Sequence, residues 1–326
     1  KSIELIDLLI NIQRERNNFN LPLIKKLNRP DTIVIMGNGP SLKNIDFDIL
    51  KDVDTFGLNS AYRFYKEIEF YPTYFGCFDN LVTSNHYENF QKLILDKNIP
   101  IKNFFFLKRF NDPYKRCITF LATNASIEKS KLSLGVSKSL DNFWIYENSG
   151  ATAAHIGIAM GYKKIILLGV DCSYVEIIDN ALIHNNKATE LLISKTPKKN
   201  PNYWRDDYQK EGDVYHLPQA AKFQKPEWER LKLNIDRDLK ASDIDIYNCS
   251  PISKLTCFEK RNINEVLDIN INKLILSTSF LIKSFGRINN ILELIRSIRK
   301  YYPYNKILIF DDSNQFSKEN IEEINQ

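Results

Sequence analysis

Residues 33–43 read IVIMGNGPSLK, an apolar run that stops at the turn Gly37-Asn38-Gly39-Pro40-Ser41. Two glycines let backbone amides come close to a ligand, and a helix that follows adds the positive end of its dipole. The stretch therefore predicts a strand, a phosphate-binding turn and a helix, at the strand edge where open α/β folds bind ligands. A turn of this kind can also be purely structural. The rest of the dinucleotide-binding fingerprint does not follow it, so the turn alone is a weak indication of a ligand.

The pattern beyond the turn extends this unit into a sheet. Short apolar runs rich in aromatic and β-branched residues occur at 32–36, 55–58, 74–78, 103–107, 164–170 and 243–247. Helix-length segments lie between several of them, at 82–95, 152–160 and 227–239. This alternation predicts an α/β fold with a doubly wound, mostly parallel, Rossmann-like sheet.

The 326 residues are long enough for about two domains. Residues 1–30 carry apolar side chains at helical spacing and are interpreted as an N-terminal linker helix. We assign 31–262 to the nucleotide-binding domain. Within it, 193–216 shows aromatic residues without periodicity, which favours an active-site lid. We assign 263–326 to a linker and the start of a second domain, and the lack of an initiator Met indicates a piece of a longer chain.

That second domain begins with a strand, helix and strand: LILSTSFLIKSFGR at 274–287, INNILELIRSIRKYYP at 288–303 and NKILIFDDS at 305–313. The three segments predict a partial second βαβ unit. They resemble the nucleotide-binding start of GT-A glycosyltransferases of the family 2 type. The later acidic metal motif of that family is absent from the sequence, so the unit is not expected to be catalytic by itself. The alternative is that these residues extend the first sheet.

Composition excludes several classes. The net charge of +5 comes from 45 basic and 40 acidic residues that are scattered, whereas nucleic-acid binding favours a dense basic stripe. No apolar run approaches the roughly 20 residues that span a bilayer. Five cysteines without a Cys-x-x-Cys pair predict neither a disulfide framework nor a zinc site, and a reducing cytoplasm is the simplest compartment.

His216 is the candidate general base. It directly follows the predicted lid and precedes a helix, and imidazole is the side chain that ordinarily titrates near neutral pH. The other histidines lie in helical patterns or a polar loop, and a structural role for His216 also remains open. Asn59 and Asp79 end predicted strands, where side chains reach a ligand crevice, but each could instead cap a helix.

Further candidates follow two later strands. Ser149 and Gly150 precede a small-residue helix whose first amides could hold an anion, with Ser149 as its cap. Asp171 ends the most apolar strand, and Tyr174 and Tyr203 could hydrogen-bond a leaving phosphate without a metal. A tyrosine is more often a packing residue, since the chain has 16 of them.

Four motifs in order resemble the bacterial CMP-sialic acid-dependent sialyltransferases of glycosyltransferase family 42. They are IVIMGNGPSLK at 33–43, TFGLNS at 55–60, the Ser-Gly and small-residue helix with Gly-Tyr-Lys at 148–163, and IILLGVD at 165–171. The resemblance spans about 32–250. It implies a nucleotide-binding α/β domain with a lid, no metal or other cofactor, a CMP-nonulosonate donor and an oligosaccharide or glycolipid acceptor.

The resemblance also implies roles. Asn38 and Gly39 would contact the phosphate and ribose of CMP, Asn59 the nucleotide, and Ser149 with Gly150 the donor's carboxylate or cytidine end. His216 would act as the general base, and Tyr174 and Tyr203 would stabilise the departing phosphate. The full set of donor-binding candidates is Gly37, Asn38, Gly39, Pro40, Ser41, Asn59, Asp79, Ser149, Gly150 and Asp171.

Departures from the family pattern leave the donor sugar open. Asp79 stands where the family usually has asparagine, and Glu147 or Asn148 replaces an arginine. Kdo, pseudaminic and legionaminic acid are alternatives to sialic acid. The expected function is inverting transfer in surface polysaccharide or lipooligosaccharide synthesis, in the cytoplasm, with peripheral membrane contact and homo-oligomers allowed. The other readings are an enzyme using another nucleotide and a non-catalytic nucleotide-sugar domain that scaffolds a fused glycosyltransferase.

Overall fold

The computed structural model describes residues 31–120, 135–137, 140, 143–240, 243–267, 280–284, 288–301 and 307–311. The chain divides into two compact units, Lys1–Arg261 and Asn262–Gln326. The predicted N-terminal linker helix at 1–30 lies outside the described residues.

An eight-stranded parallel sheet forms the centre of the first unit. Its strands are β1 (Thr32–Met36), β2 (Asp54–Leu58), β3 (Tyr74–Cys77), β4 (Asn103–Phe106), β5 (Cys117–Thr119), β6 (Lys164–Leu168), β10 (Asp245–Asn248) and β11 (Glu259–Lys260). Their order across the sheet is β11-β10-β6-β1-β2-β3-β4-β5, and every neighbouring pair is parallel. The predicted α/β fold with a parallel Rossmann-like sheet is confirmed.

The strand order places a topological switch point between β1 and β6. From β1 the chain moves outward through β2 to β5, and it then returns to the other side of β1 to form β6. Crossover connections leave β1 and β6 in opposite directions, so a crevice opens beyond their carboxyl ends, which is where open α/β sheets bind ligands.

Helices cover both faces of the sheet, so the sheet is doubly wound. On one face, Phe90 of helix α2 (Tyr87–Leu95) packs against Phe106 of β4, with ring centroids 5.2 Å apart. On the other face, Phe105 belongs to a core that includes Ile156 of helix α3 (Ser149–Ala159) and Trp228 of helix α4 (Lys225–Asp238). Successive strand residues point to opposite faces, and this alternation supplies both cores.

One local prediction, the single helix at 82–95, differs from the structure. The predicted helix at 82–95 is two helices, α1 (Asn80–Asn85) and α2, which meet at His86. The segment interpreted as a lid at 193–216 is bounded by strands of a separate antiparallel sheet, ordered β7 (Ala181–His184), β8 (Lys187–Ile193) and β9 (Val214–His216). The alternating pattern of these three short strands is weak, because β7 is exposed on both faces.

The second unit contains a short helix α5 (Ile263–Val266), strand β12 (Phe280–Ser284), helix α6 (Ile288–Tyr301) and strand β13 (Ile307–Asp311). The two strands pair in parallel as a two-stranded sheet. A parallel pair joined by a helix is a βαβ unit, which confirms the predicted strand-helix-strand order. None of the helices in the described part of the chain is both long and apolar enough to cross a membrane.

Candidate functional site

A cleft of about 570 Å³ lies at the carboxyl ends of the central strands. Its lining includes Gly37 after β1, Gly169 after β6 and Pro218 after β9. Ten of the residues predicted from the sequence line it: Gly37, Asn38, Asn59, Asp79, Ser149, Gly150, Asp171, Tyr174, Tyr203 and His216. Gly39, Pro40 and Ser41 are absent from the lining.

Three amides of the turn after β1 already donate hydrogen bonds within the protein. Gly37 N donates to the Leu168 carbonyl at 2.7 Å, and Gly39 N donates to the Gly169 carbonyl at 2.8 Å. Ser41 N donates to Oδ2 of Asp171 at 2.8 Å. The expected phosphate cradle at Gly37, Gly39 and Ser41 is therefore wrong, because those donors are already used within the protein.

Asp171 takes the place that a phosphate was expected to fill. Its carboxylate lies against the short 3-10 helix Pro40–Asn44, where the turn was predicted to receive an anion. A Cβ at Gly39 would lie 2.3 Å from Oδ2 of Asp171, so the second glycine of the motif makes room for this carboxylate. Asp171 is almost fully buried, and its Oδ1 accepts no hydrogen bond within the described part of the chain.

Two amide oxygens at the switch point are buried without a hydrogen-bond partner, Oδ1 of Asn38 and Oδ1 of Asn59. The Asn38 side chain is fixed because its Nδ2 donates to the Leu58 carbonyl at 3.1 Å. Asn59 has a φ of 55°, a left-handed conformation that asparagine tolerates better than most residues. A buried acceptor without a partner costs free energy, so both oxygens are suited to accept hydrogen bonds from a ligand.

The N-terminus of α3 forms the opposite end of the cleft. Asn148 is its N-cap, with Oδ1 accepting from Ala151 N at 3.0 Å, so the expectation that Ser149 caps this helix is wrong. The carboxamide of Asn148 reaches the amide two residues beyond Ser149, as an N-cap side chain does. The amides of Ser149 and Gly150 donate no hydrogen bond within the described residues. They leave donors for an anion at a helix end that carries partial positive charge.

The segment between β8 and β9 packs down on the strand ends as a wall of the cleft. Trp204 N donates to the Asn38 carbonyl at 3.2 Å, and Ser60 N donates to the Tyr208 hydroxyl at 3.1 Å. Arg63 donates to both carboxylate oxygens of Asp213, at 2.6 and 2.7 Å. The wall is thus fixed to the loops that follow β1 and β2.

Two of the predicted phenols line the cleft on this side. Tyr203 stacks on Tyr208 with ring centroids 4.2 Å apart and an interplanar angle of 12°. Burial raises the pKa of Tyr203 and of Tyr174 above the ordinary tyrosine range. Both hydroxyls therefore stay protonated at neutral pH and are available as hydrogen-bond donors.

His216 ends β9 at the rim of the cleft with half of its side chain exposed. Its Nε2 lies 3.8 Å from Oδ1 of Asp79. That carboxylate also caps α1, because Oδ1 accepts from Leu81 N at 2.8 Å and Val82 N at 3.1 Å. Asp79 thus does both things the sequence left open: it caps a helix and faces the cleft.

Sequence reasoning missed His86 and Asp213 at this site. His86 Nε2 lies 3.2 Å from Oδ1 of Asp213, and both side chains line the cleft. The break between α1 and α2 brings His86 inward, and neither residue belongs to a recognisable motif. The one signal in the sequence was that Asp213 lies three residues before His216, the candidate base. Among the described residues, no group of three or more His, Cys, Asp or Glu side chains is arranged to hold a metal ion.

No protein-family model matches the sequence, and no curated protein matches it. The structure is similar to that of the sialyltransferase CstII from Campylobacter jejuni in complex with cytidine-5'-monophosphate, with 18% identity, a TM-score of 0.41, and coverage of 73% of this chain and 87% of that one. It is also similar to an alpha-2,3-sialyltransferase from Campylobacter jejuni in apo form, with 18% identity, a TM-score of 0.38, and coverage of 77% and 96%.

A third similar structure is the MAf glycosyltransferase from Magnetospirillum magneticum AMB-1, with 14% identity, a TM-score of 0.41, and coverage of 81% of this chain and 40% of that one. The matches include sialyltransferases, the class that the sequence motifs resemble. The strand order of this protein's own sheet shows the α/β fold independently of these matches.

Proposed function

We propose that the first unit is an inverting glycosyltransferase that moves sialic acid or a related nonulosonic acid, Kdo included, from a CMP donor to a saccharide hydroxyl. The product would be a surface polysaccharide or lipooligosaccharide, made in the cytoplasm. The observation that carries the proposal is the pair of buried, unpartnered amide oxygens of Asn38 and Asn59 at the switch point.

A cytidine nucleoside supplies the donors that these oxygens lack. The exocyclic amine of cytosine and the ribose hydroxyls are hydrogen-bond donors, and an amide oxygen accepts from either. The buried Oδ1 of Asp171 is a third acceptor beside them. Three acceptors without partners favour a ligand end rich in N–H and O–H groups over an anionic one, so the nucleoside rather than the phosphate belongs at this end.

The phosphate of the donor then belongs near the N-terminus of α3 and the phenols. The amides of Ser149 and Gly150 remain available there. Protonated Tyr174 and Tyr203 can donate to the phosphate oxygens as negative charge develops on them. Hydrogen-bond donors aimed at developing charge lower the barrier without a metal ion, and we propose metal-independent transfer on this basis.

In the transfer step His216 removes the proton of the acceptor hydroxyl. The acceptor oxygen forms a bond to the anomeric carbon, and the bond from that carbon to the phosphate oxygen breaks. CMP leaves with the electron pair, and the proton resides on His216. A single displacement of this kind inverts the anomeric configuration, and a positioned general base typically contributes about a hundred- to ten-thousand-fold in rate.

Calorimetric titration of the protein with CMP, UMP and AMP tests the nucleoside site. We expect CMP to bind at least about tenfold more tightly than UMP, which has an oxygen in place of the exocyclic amine, and than AMP, whose larger purine ring places its amine farther from the ribose. Asn59→Gly is expected to weaken CMP binding, because glycine keeps the left-handed backbone conformation of residue 59 but removes the accepting side-chain oxygen. Equal affinity for all three nucleotides would reject the cytidine assignment.

Transfer assays with CMP-sialic acid, CMP-Kdo and a panel of saccharide acceptors test the reaction. We expect His216→Ala to reduce kcat by at least about a hundredfold while CMP affinity is retained. His184→Ala is the matched control, since His184 lies on β7 outside the cleft lining. Turnover that survives His216→Ala would remove the imidazole from the mechanism.

The same measurements decide between this function and the alternatives. CMP binding with no transfer to any acceptor would favour the scaffold hypothesis for the first unit. Preferential binding of another nucleotide would favour a transferase with a different donor.

A further inference from the structure

Asp79 and His216 come from separate parts of the fold and meet at the cleft. Asp79 follows β3 and begins α1, whereas His216 ends β9 of the small antiparallel sheet. Strand β9 packs against α1, and this contact brings Oδ1 of Asp79 to 3.8 Å from Nε2 of His216. A shift of about 1 Å of the half-exposed imidazole makes this contact a hydrogen bond.

The carboxylate of Asp79 is held in a fixed orientation. Two backbone amides, those of Leu81 and Val82, donate to the same oxygen that faces the imidazole. Within the described residues, no lysine or arginine forms an ion pair with Asp79, and His216 is its ion-pairing side chain. The charge of Asp79 is therefore directed at the histidine rather than neutralised by a neighbouring cation.

The other acidic group near His216 is already engaged. Glu190 lies opposite His216 in the pairing of β8 with β9, and its Oε1 accepts from Lys187 Nζ at 2.8 Å. His216 and His184, the latter on β7, also interact electrostatically with Glu190. The remaining carboxylate that faces the imidazole is that of Asp79.

We propose that Asp79 is a positioning residue for His216, an inference that rests on the proposed function for its catalytic consequence. The carboxylate attracts a proton on Nε2, so the neutral imidazole keeps Nδ1 unprotonated as the base that receives the acceptor's proton. When that proton arrives, both ring nitrogens carry hydrogen, and the carboxylate stabilises the imidazolium. The two ring nitrogens of a histidine differ in this way whenever one of them has a fixed partner.

Asp79→Asn isolates the charge from the structural role. Asparagine is as good an N-cap as aspartate, so α1 keeps its cap and its orientation. We expect kcat to fall about ten- to a hundredfold, the usual effect of losing a charged hydrogen-bond partner, with the KM of the donor changed less than about threefold. The matched control is Asp46→Asn, which alters an exposed N-cap aspartate outside the cleft.

Nitrogen-15 NMR of the histidine rings supplies a readout that needs no substrate. In alkaline buffer, where histidine rings are neutral, we expect the His216 ring of the wild type to be almost entirely the Nε2–H tautomer. Asp79→Ser keeps an N-cap oxygen for α1 but is too short to reach the imidazole, so we expect the share of the Nδ1–H tautomer to rise, with the resonance assigned by its absence in His216→Gln. Unchanged tautomer populations in Asp79→Ser would overturn the proposal.

The two readouts separate this inference from the proposed function. A tautomer change without sialyl or Kdo transfer in the wild type would support the Asp79–His216 pairing and reject the transferase. A fall in kcat with a large rise in donor KM and no tautomer change would overturn the pairing and assign Asp79 to donor contact. A fall in kcat together with the tautomer change supports both.

Discussion

Replacing Asp213 with asparagine tests whether the cleft wall is fixed by a buried ion pair. Asp213 and Arg63 form two hydrogen bonds of 2.6 and 2.7 Å, with side-chain exposures of only 10% and 14%. His86 adds a contact of 3.2 Å to the same carboxylate. Asp213→Asn keeps the shape of the side chain but leaves the guanidinium of Arg63 buried without its counter-charge.

We expect this change to reduce the free energy of unfolding by about 3–5 kcal/mol, the usual cost of leaving one half of a buried pair. That is a large share of the roughly 5–15 kcal/mol by which domains are stable. Glu67→Gln is the matched control, because Glu67 pairs with Arg205 at the same 2.6 Å but with exposures of 57% and 32%. Solvent screens that pair, so we expect a loss of only about 0–1 kcal/mol.

Urea unfolding followed by tryptophan fluorescence measures the free energy of unfolding of both variants. Repeating the measurement at acidic pH adds a second test of the ion pair. Burial alone would raise the pKa of Asp213, but the hydrogen bonds from Arg63 and His86 and the charge of Arg63 outweigh it and hold that pKa well below the ordinary aspartate range. The stabilisation is therefore complete above about pH 4 and is lost as the pH falls through the lowered folded-state value.

The difference between wild type and Asp213→Asn should accordingly shrink in acid, while the small effect of Glu67→Gln stays near zero. A loss for Asp213→Asn no larger than that for Glu67→Gln would show that water screens both pairs equally. In that case the segment between β8 and β9 would be held by its backbone contacts and aromatic packing instead.

Three further changes test the cleft itself. Gly39→Ala should destabilise the protein by about 1–3 kcal/mol in urea, because its Cβ would lie 2.3 Å from Asp171 Oδ2, and an unchanged midpoint would contradict the close approach. Asn148→Ala should cost about 1 kcal/mol in thermal unfolding through loss of the α3 cap, and a neutral result would contradict the capping role. Tyr203→Phe should lower kcat about a hundredfold or more if its hydroxyl donates to the leaving phosphate, whereas Tyr114→Phe, at an exposed position, should leave kcat unchanged. A Tyr203→Phe variant with the kcat of the wild type would show that Tyr203 has only a packing role.

The strands of the parallel sheet were largely predictable from the sequence. A buried parallel strand is apolar along its whole length, so runs such as 33–36 and 165–168 are recognisable as strands in the sequence. The antiparallel strands β7 to β9 were not predicted, since β7 is exposed and carries little periodic signal. The break at His86 was also missed, because a single helical pattern runs through both α1 and α2.

The candidate site shows the same division. The chain order of the strands and the polar residues that follow them predicted Asn38, Asn59 and Asp79 at the cleft. The pattern could not show that the turn amides were already occupied, because their partners, such as Asp171, lie more than a hundred residues away. Nor could it find the Arg63–Asp213 pair, which joins two loops with no common motif.

The sequence by itself determined the α/β class, the main strands and the edge at which ligand-facing residues gather, because burial and backbone preference act over a few neighbouring residues. Tertiary structure alone decided which of those residues are free to bind. The carboxylate of Asp171 lies where the turn at Gly39 was expected to bind an anion. The side-chain oxygens of Asn38 and Asn59 have no hydrogen-bond partner in the described part of the chain, and the imidazole of His216 lies close to Asp79. These outcomes depend on contacts between distant segments, and no local pattern records them.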